Sequence, residues 1–284
     1  MKEPGPRALV ITGYGINCDY ETAHACQIAG FEARRVHLND VLEEQRMLYR
    51  YRLLVFPGGF SFGDDLGAGV AFASKMRFSV SSDGEKLYDS LMEYVRRDGL
   101  VLGVCNGFQI LVRLGIIPAV GRTYGIQQVT LAPNAEGYFI NRWVRIAAEQ
   151  NTPNVFTRGM HCFSLPVRHG EGRFVAGDRE LLARIEGEGH VALRYADCDG
   201  APARSFPENP NGSENAIAGV CDPTGRIFGL MPHPEAAVSM YQYPDWTRRK
   251  REAVSLGRSL PQYGEGFSIF KNAFEYVCEI APWV

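Results

Sequence analysis

The sequence has few of the patterns that mark secreted, membrane or zinc-binding proteins. Its seven cysteines are an odd, scattered set between Cys18 and Cys278, and no two of them form a Cys-x-x-Cys pair. This spacing argues against a disulfide framework and against a zinc site. The first residues lack an apolar signal core, and no stretch is apolar enough to span a membrane. We therefore expect a cytoplasmic protein.

The sequence also has little excess of charge of either sign. The formal net charge is −2, and the densest basic run, residues 248–251, has acidic residues on both sides. Such a run is more typical of a solvated helix face than of a nucleic-acid patch. No Gly-x-x-x-x-Gly-Lys-Ser/Thr motif occurs, which argues against a phosphate loop of that type. What remains is an ordinary globular composition in a chain long enough to bury a sizeable core.

The first 118 residues alternate short apolar runs with helical patterns. Asp19 is the expected N-cap of the first helix, and Gly30 is its expected end. Strands alternating with helices predict a parallel, doubly wound sheet, in which function gathers at the carboxyl ends of the strands. The predicted strands are residues 8–12, 33–38, 52–56 and 100–104, and the predicted helices are about 21–29, 39–47, 67–76 and 86–97.

After Pro118 the pattern changes to short strands with turns between them and little helical periodicity. Antiparallel pairing is expected there. A last helix is predicted over residues 267–280, and the charged segment 241–266 is predicted to be an insertion containing a helix. We expect one domain over residues 1–284. The predicted strands of this half are residues 127–131, 143–147, 161–167, 191–195, 216–220 and 226–231.

The stretch around Cys105 is the clearest candidate for chemistry. Residues 100–104 form a short apolar run that predicts a buried strand, and apolar residues recur at helical spacing from Phe108 onwards. Cys105 lies at the junction, between Gly103 and Gly107. Small residues around a nucleophile at a strand-to-helix turn are typical of a nucleophile elbow. The alternative is a buried structural cysteine.

A cysteine nucleophile needs a base, and the base needs an orienting group. His233 and Glu235 follow a predicted strand two residues apart, so in an extended segment their side chains point the same way. Pro232 and Pro234 restrict the backbone on either side of the histidine. The alternatives are a capping or core histidine and a first-turn helix glutamate. Beside an elbow cysteine, the pair predicts a catalytic triad.

Acyl transfer also needs N–H donors for a tetrahedral oxyanion. Gly58 and Gly59 follow the third predicted strand, which should neighbour the Cys105 strand. Glycines let the backbone approach closely and turn its N–H groups inward. Gly59 N–H and Asn106 N–H are the candidate donors, and the alternative is an ordinary glycine turn.

Several longer motifs occur along the chain in a specific order. Gly103-Val-Cys-Asn-Gly-Phe-Gln109 and Pro232-His-Pro-Glu235 resemble the motifs of the class I (triad) glutamine amidotransferases. Further segments narrow the resemblance to the glutaminase components of phosphoribosylformylglycinamidine synthases, over roughly residues 8–240. These segments are Thr12-Gly-Tyr-Gly-Ile-Asn-Cys-Asp19, Phe56-Pro-Gly-Gly-Phe-Ser-Phe-Gly-Asp-Asp65, Asn141-Arg-Trp-Val144, Pro166-Val-Arg-His-Gly-Glu-Gly172 and Asn209-Pro-Asn-Gly-Ser213.

The resemblance implies a flavodoxin-like doubly wound α/β sheet, mostly parallel with antiparallel additions, in the class I glutamine amidotransferase fold. It also implies that Cys105 attacks the carboxamide of glutamine and forms a thioester, with release of ammonia. His233 then shuttles the proton, and Glu235 orients His233. Gln109, on the same helix face as Cys105, and Phe60 are the expected substrate-binding residues.

The resemblance further implies that His169 and Glu171, with residues 209–213, lie near the mouth of the site or on the partner surface. For His169 and Glu171 the alternative is a polar β-turn. Two features depart from the family pattern. Ala236 follows Glu235 where the family usually has arginine, and segment 241–266 is longer than in compact members.

The chain has no recognisable ATP-binding synthetase part, so it resembles the separate-subunit form of the family. In that form, ammonia passes to a large synthetase subunit, sometimes with a small third subunit. We expect ATP and Mg²⁺ on that partner, no cofactor and no metal in this chain, and no nucleic-acid or membrane partner.

Three alternatives stay open at this point. The chain could be a triad glutaminase that serves a different synthetase, against which the motifs at residues 169–172 and 209–213 argue. It could be a cysteine hydrolase of the flavodoxin-like elbow type, which has no need of Gln109 or the Pro-His-Pro-Glu motif. It could also be a non-catalytic docking subunit, although Cys105, His233 and Glu235 are all present.

Overall fold

A mixed sheet of nine strands organises the computed structural model, which describes residues 5–81 and 84–280. The strands, in chain order, are β1 (Arg7–Thr12), β2 (Glu32–His37), β3 (Leu53–Phe56), β4 (Leu100–Val104), β5 (Val129–Pro133), β6 (Ile140–Ala148), β7 (Cys162–His169), β8 (Glu171–Ala176), β9 (Val191–Tyr195), β10 (Ile217–Cys221) and β11 (Ile227–Leu230). The order across the sheet is β2-β1-β3-β4-β11-β10-β9-β6-β7, and β5 pairs with β8 in a separate ribbon.

Helices cover the sheet and connect its strands. The α-helices are α1 (Asp19–Ala29), α2 (Leu38–Glu43), α3 (Val70–Phe78), α4 (Leu87–Arg96), α5 (Asn106–Arg113), α6 (Arg179–Gly187), α7 (Trp246–Ser255) and α8 (Phe267–Glu279). Short 3-10 turns lie at Gln45–Arg50, Ser61–Asp64, Val120–Arg122, Glu214–Ala216, Pro234–Ala237 and Met240–Gln242. Within the described residues, no helix combines the length and the apolar character needed to cross a membrane.

The first five strands in this order, β2, β1, β3, β4 and β11, pair in parallel. Every residue of β3 and β4 is buried, as expected for central strands covered by helices on both faces. This half confirms the predicted doubly wound arrangement. It brings the ends of β1, β3, β4 and β11 to one edge of the sheet.

The other half of the sheet is antiparallel, as the second half of the sequence predicts. Strand β10 pairs antiparallel with both β11 and β9, and β6 pairs antiparallel with β9 and β7. The β6–β7 pair is the longest, running from Ile140 opposite His169 to Ala147 opposite Cys162. It carries the end of β7 to the same edge as the end of β4, since His169 and Cys105 line one cavity.

Two predicted helix starts are wrong in detail. The N-cap of α1 is Cys18 rather than Asp19, whose buried carboxylate instead pairs with Arg35 at 2.7 Å.

Helix α2 begins at Leu38, because His37 Nδ1 accepts from Asn39 N–H and caps it. It ends at Glu43 and continues as a 3-10 turn, so it does not reach Met47 as one helix. Gly30 ends α1 in the left-handed conformation, as expected.

Sequence reasoning missed β8 and α6. Helix α6 buries only Ile185, although Leu181, Leu182 and Ile185 recur at helical spacing in its sequence. The signals that could have found it are this spacing and Asp178, whose carboxylate accepts from Leu181 N–H at 2.7 Å as an N-cap.

The charged segment 241–266 contains α7, as predicted. None of the residues of α7 is buried. Arg248 pairs along the helix with Asp245 and with Glu252, at 2.5 and 2.7 Å. The basic run is therefore a solvated helix face, in agreement with the interpretation of its sequence.

Candidate active site

Cys105 lies in a tight turn between β4 and α5. Its backbone has φ +51° and ψ −106°, a conformation that non-glycine residues rarely adopt outside strained sites. The flanking glycines permit this turn. A Cβ at Gly107 would lie 1.8 Å from Phe56 O, and one at Gly103 would lie 2.6 Å from Leu111 Cδ1. The turn thus has the geometry of a nucleophile elbow, and the first turn of α5 packs closely against the end of β3.

The side chain of Cys105 is 5% exposed and sits at the amino end of α5. Its Sγ lies 3.7 Å from Arg168 O, at the end of β7. The nucleophile is therefore held at the end of β4, facing the end of β7.

His233 and Glu235 come together directly after β11. His233 N–H donates to Pro166 O at 2.8 Å, which fixes the backbone, and His233 Nδ1 lies 2.5 Å from Glu235 Oε1. Burial by itself lowers the pKa of His233, but the Glu235 carboxylate and the neighbouring Cys105 raise that pKa well above its usual value. The structure therefore brings all three predicted triad residues together.

The hydrogen bond to Glu235 determines which ring nitrogen of His233 is available for proton transfer. The carboxylate accepts the Nδ1 proton, which leaves Nε2 for proton transfer. Nε2 is buried and has no hydrogen-bond partner among residues 5–81 and 84–280. Such an unpaired buried nitrogen is a candidate proton carrier.

The glycine loop after β3 packs against His233. A Cβ at Gly58 would lie only 2.7 Å from His233 Cε1, so glycine is required for the approach. Gly59 has φ +149° and lies opposite Ile16 in an isolated antiparallel β-bridge. The residues next to Gly59 make the hydrogen bonds of this bridge, and Phe60 N–H donates to Gly15 O at 2.8 Å. Gly59 N–H takes no part in these bonds.

A cavity of about 130 Å³ contains the predicted site. This is well below the ~300–1,000 Å³ typical of drug-sized pockets and is suited to a small, extended ligand. It brings together the predicted residues Gly59, Phe60, Cys105 and Gln109. Its other lining residues are Asp64, Ala68, Phe139, Arg168, His169, Gly170 and Glu171.

Gln109 connects α5 to the turn between β7 and β8. Its Nε2 donates to Glu171 O at 2.6 Å, and its Oε1 accepts from Asn106 Nδ2 at 3.0 Å. Asn106 Nδ2 also donates to Asp64 Oδ1 at 3.2 Å. Part of the hydrogen-bonding capacity of Gln109 is thus used to hold the cavity wall in place.

His169 is a buried, neutral side chain at the end of β7, next to this turn. Its Nδ1 lies 3.0 Å from Asn134 Oδ1, and burial, together with the charge on His233, lowers the pKa of His169 to about 3. A Cβ at Gly172 would lie 2.5 Å from the ring of His169, so a side chain there would displace it. His169 and Glu171 both line the cavity, in a tight β7–β8 connection.

Residues 209–213 differ from expectation. Asn209, Asn211 and Ser213 are buried rather than at the mouth of the site. Asn211 Nδ2 donates to Gly172 O at 2.8 Å, and Phe174 N–H donates to Ser213 Oγ at 3.0 Å. The segment therefore holds β8 in place, because the Asn211 amide and the Ser213 hydroxyl pair with backbone groups of that strand.

Sequence reasoning also missed residues of the site. Asp64 and Arg168 add charged side chains to the cavity, and Cys18 places its Sγ 4.0 Å from His233 Nδ1. The pKa of Cys18 is raised, first by burial and also by the Glu235 carboxylate, although contact with His233 opposes this. The available signal was positional, since Asn17-Cys18 follows β1 and Asp64 follows β3, two strands that end at the Cys105 edge.

Together these features are the ones that a cysteine-dependent acyl-transfer site requires, and they lie at the carboxyl edge of an α/β sheet. The chain belongs to the CobB/CobQ-like glutamine amidotransferase domain family, whose model matches residues 5–277. This confirms the class to which the sequence motifs pointed.

The chain is also similar to individual members. It is 41% identical to the phosphoribosylformylglycinamidine synthase subunit PurQ of Methanococcus maripaludis, over 95% of this chain and 97% of the relative. It is 37% identical to the subunit of the same name in Dehalococcoides mccartyi, over 96% and 98%. Among solved structures it matches a chain of PurLQS from Thermotoga maritima with a TM-score of 0.67 and 30% identity, over 96% of this chain and 99% of that chain.

Proposed function

We propose that this chain is the glutaminase subunit of a phosphoribosylformylglycinamidine synthase. It hydrolyses glutamine to glutamate and ammonia and supplies the ammonia for the ATP-dependent conversion of formylglycinamide ribonucleotide to formylglycinamidine ribonucleotide. The observation that carries the proposal is the elbow Cys105 beside the His233–Glu235 pair, in a cavity also lined by Gln109. The purine-pathway relatives support the choice of synthetase.

In the first half of the proposed reaction, His233 as imidazolium stabilises the Cys105 thiolate, which attacks the carboxamide carbon of glutamine. The tetrahedral oxyanion accepts hydrogen bonds from Gly59 N–H and Asn106 N–H. His233 Nε2 gives its proton to the amide nitrogen as the carbon–nitrogen bond breaks. The products are ammonia and a γ-glutamyl thioester.

In the second half, water gives one proton to His233 Nε2 and adds its hydroxyl to the thioester carbon. The carbon–sulfur bond then breaks, which releases glutamate and restores the thiolate. Glu235 keeps the imidazole in one orientation through both steps. The reaction consumes one water and needs no cofactor in this chain.

For substrate binding, the charges of the cavity suit the two ends of a free amino acid. Arg168 offers a cation for the α-carboxylate, and Asp64 or Glu171 offers an anion for the α-ammonium group. Phe60 and Gln109 complete the walls along the glutamine side chain.

The synthetase partner follows from the chemistry. Free ammonia is mostly protonated at neutral pH, so it must be delivered across an interface before it escapes. The partner is a large synthetase subunit that holds the nucleotide, ATP and Mg²⁺, with a small third subunit in some assemblies. The solved PurLQS complex supports this arrangement. As a purine-pathway enzyme with no membrane-spanning helix in its described residues, the chain is assigned to the cytoplasm.

The test is ammonia release from glutamine by the purified chain, alone and with the purine synthetase, for native protein, Cys105→Ala and the exposed-cysteine control Cys162→Ala. We expect activity that requires Cys105 and rises with the partner. Activity that needs Cys105 but ignores this synthetase would assign the glutaminase to another synthetase. If no protein in the test released ammonia, the chain would be a non-catalytic docking subunit.

A further inference from the structure

Cys18 is a second thiol next to the triad, and the proposed mechanism does not use it. Its Sγ lies 4.0 Å from His233 Nδ1, on the side of the ring that faces Glu235 and opposite Nε2. One ligand atom from each of Cys18, His233 and Glu235 lies within 4.8 Å of the others. A thiol, an imidazole and a carboxylate are the three side chains that zinc binds.

The distances allow one ion to reach both Cys18 and His233. Ordinary Zn–S and Zn–N bonds are about 2.3 and about 2.0 Å, and together they slightly exceed the observed sulfur–nitrogen separation. Residue 58 is glycine, so no side chain from the neighbouring loop comes between the two atoms. A Cβ at Gly58 would lie 3.3 Å from Cys18 Sγ and 3.4 Å from His233 Nδ1.

Glu235 supplies a second, independent indication. Its Oε1 is bonded to His233, whereas its Oε2 is buried and has no hydrogen-bond partner in the described part of the chain. A buried carboxylate oxygen without a partner is costly, and a cation beside it removes that cost. Cys18 is only partly buried, so an ion can enter from its side.

We propose that Cys18, His233 and Glu235 form an inhibitory site for zinc or a similar thiophilic divalent cation. The absence of Cys-x-x-Cys motifs gave no hint of this site, because its ligands are far apart in sequence. The ion binds Cys18 as thiolate and takes His233 Nδ1 from Glu235, and the two displaced protons go to solvent. Three protein ligands leave one position for water.

Inhibition follows from the state of the imidazole, and this part rests on the proposed catalytic role of His233. With the ion on Nδ1, Nε2 keeps its proton, so the ring cannot accept another. It is also a weaker acid than imidazolium, so it no longer gives a proton to the leaving ammonia. The ion therefore stops glutamine hydrolysis without touching Cys105.

Binding is tested without activity, using Co²⁺ as the probe. In Cys105→Ala protein, Co²⁺ should give a thiolate-to-metal charge-transfer band, which Zn²⁺ displaces. The band should disappear when Cys18→Ser or Cys18→Ala is added and should remain when the exposed Cys162→Ser is added. No band, or a band that survives loss of Cys18, would overturn the site.

Inhibition is tested by Zn²⁺ titration of glutaminase activity with the synthetase present, each variant normalised to its own metal-free rate. Cys18→Ser should need at least about tenfold more Zn²⁺ than native protein or Cys162→Ser, because it lacks one ligand. Equal sensitivity would mean that Zn²⁺ acts through Cys105 and would overturn the inhibitory role. If native protein had no glutaminase activity but the cobalt band behaved as expected, the proposed function would fail and the metal site would stand.

Discussion

His233 Nδ1 and Glu235 Oε1 are 2.5 Å apart, and both side chains are only 2% exposed. An imidazole and a carboxylate this close and this buried hold one tautomer and one ring orientation. Glu235→Gln keeps the size but presents an amide, so the Nδ1 proton loses its preferred acceptor. We expect kcat for glutamine hydrolysis to fall by about 10²–10⁴-fold with little change in KM.

A matched control exists in the same chain. Glu188 and His190 are also two residues apart, with Glu188 Oε2 3.4 Å from His190 Nε2, and they do not line the cavity. Glu188→Gln should leave kcat near the native value. A Glu235→Gln enzyme that worked as fast as the Glu188→Gln control would remove Glu235 from the mechanism.

Gly58→Ala should damage catalysis without a change of chemistry. The added methyl group would meet His233 Cε1 at 2.7 Å, so we expect the imidazole to be displaced from its present position. A misplacement of about 1 Å can cost about 10²-fold in rate, and we expect kcat to fall by that order. Steady-state kinetics on protein with an unchanged circular dichroism spectrum measures the effect.

Gly187→Ala is the control for that substitution, since nothing lies within 4 Å of a Cβ built at Gly187 and its φ is not positive. It should retain native kinetics. If Gly58→Ala also had native kinetics, the loop after β3 would be the part that moves, and His233 would keep its position.

Gln109→Leu should act on substrate binding more than on the chemical step. It removes the donor to Glu171 O, a partly buried carbonyl, and the loss of one hydrogen bond costs about 1 kcal/mol, so the β7–β8 turn loosens at the cavity wall. We expect KM for glutamine to rise by about tenfold, with a smaller change in kcat. Gln127→Leu, at an exposed side chain that also bonds a backbone carbonyl, is the comparison and should leave both constants unchanged. A fall in kcat alone would contradict a wall-positioning role.

His169 should make the fold sensitive to acid. Burial lowers its pKa to about 3 in the folded chain, whereas in the unfolded chain it has an ordinary value near 6.5. Between these values the unfolded state binds more protons, so stability falls as pH decreases from about 6.5 towards 3. From about pH 7 to about pH 5 the loss from this group is about 2 kcal/mol.

Urea unfolding at the two pH values checks this. His169→Gln should flatten the acid dependence, although it lowers stability at neutral pH by leaving Asn134 Oδ1 less well paired. His24→Gln, at an exposed helix position, should retain the native dependence. If His169→Gln and native protein lose equal stability between pH 7 and pH 5, His169 is not the group responsible.

Much of this site was visible in the residues themselves. A buried apolar strand, a cysteine between glycines and an amphipathic helix allow few arrangements, so the turn at Cys105 followed from local pattern. The Pro-His-Pro-Glu segment is equally local, because two residues of extended chain place His233 and Glu235 on one side. The parallel first half of the sheet followed from alternating strands and helices.

Other features needed contacts between distant segments. Strand β8 contains Glu171, Gly172 and Arg173 in its six residues, so it has little apolar signal of its own, and it is held by pairing with β5. Residues 209–213 proved to be a buried support for β8, which depends on Asn211 reaching Gly172 O. The hydrogen bond between Gln109 and Glu171 joins a helix to a turn 62 residues later and has no local signal.

The sequence by itself predicted Cys105 as the candidate nucleophile, His233 as its candidate base and the kind of sheet that carries them, because each prediction depends on neighbours within a few residues. Only the tertiary structure decided that Cys18 lies beside His233, that Gly58 packs closely against His233 and that His169 is neutral in the cavity wall. These properties arise where β1, β3, β4, β7 and β11 end at one edge. They depend on distance and burial across the sheet, which residue order does not encode locally.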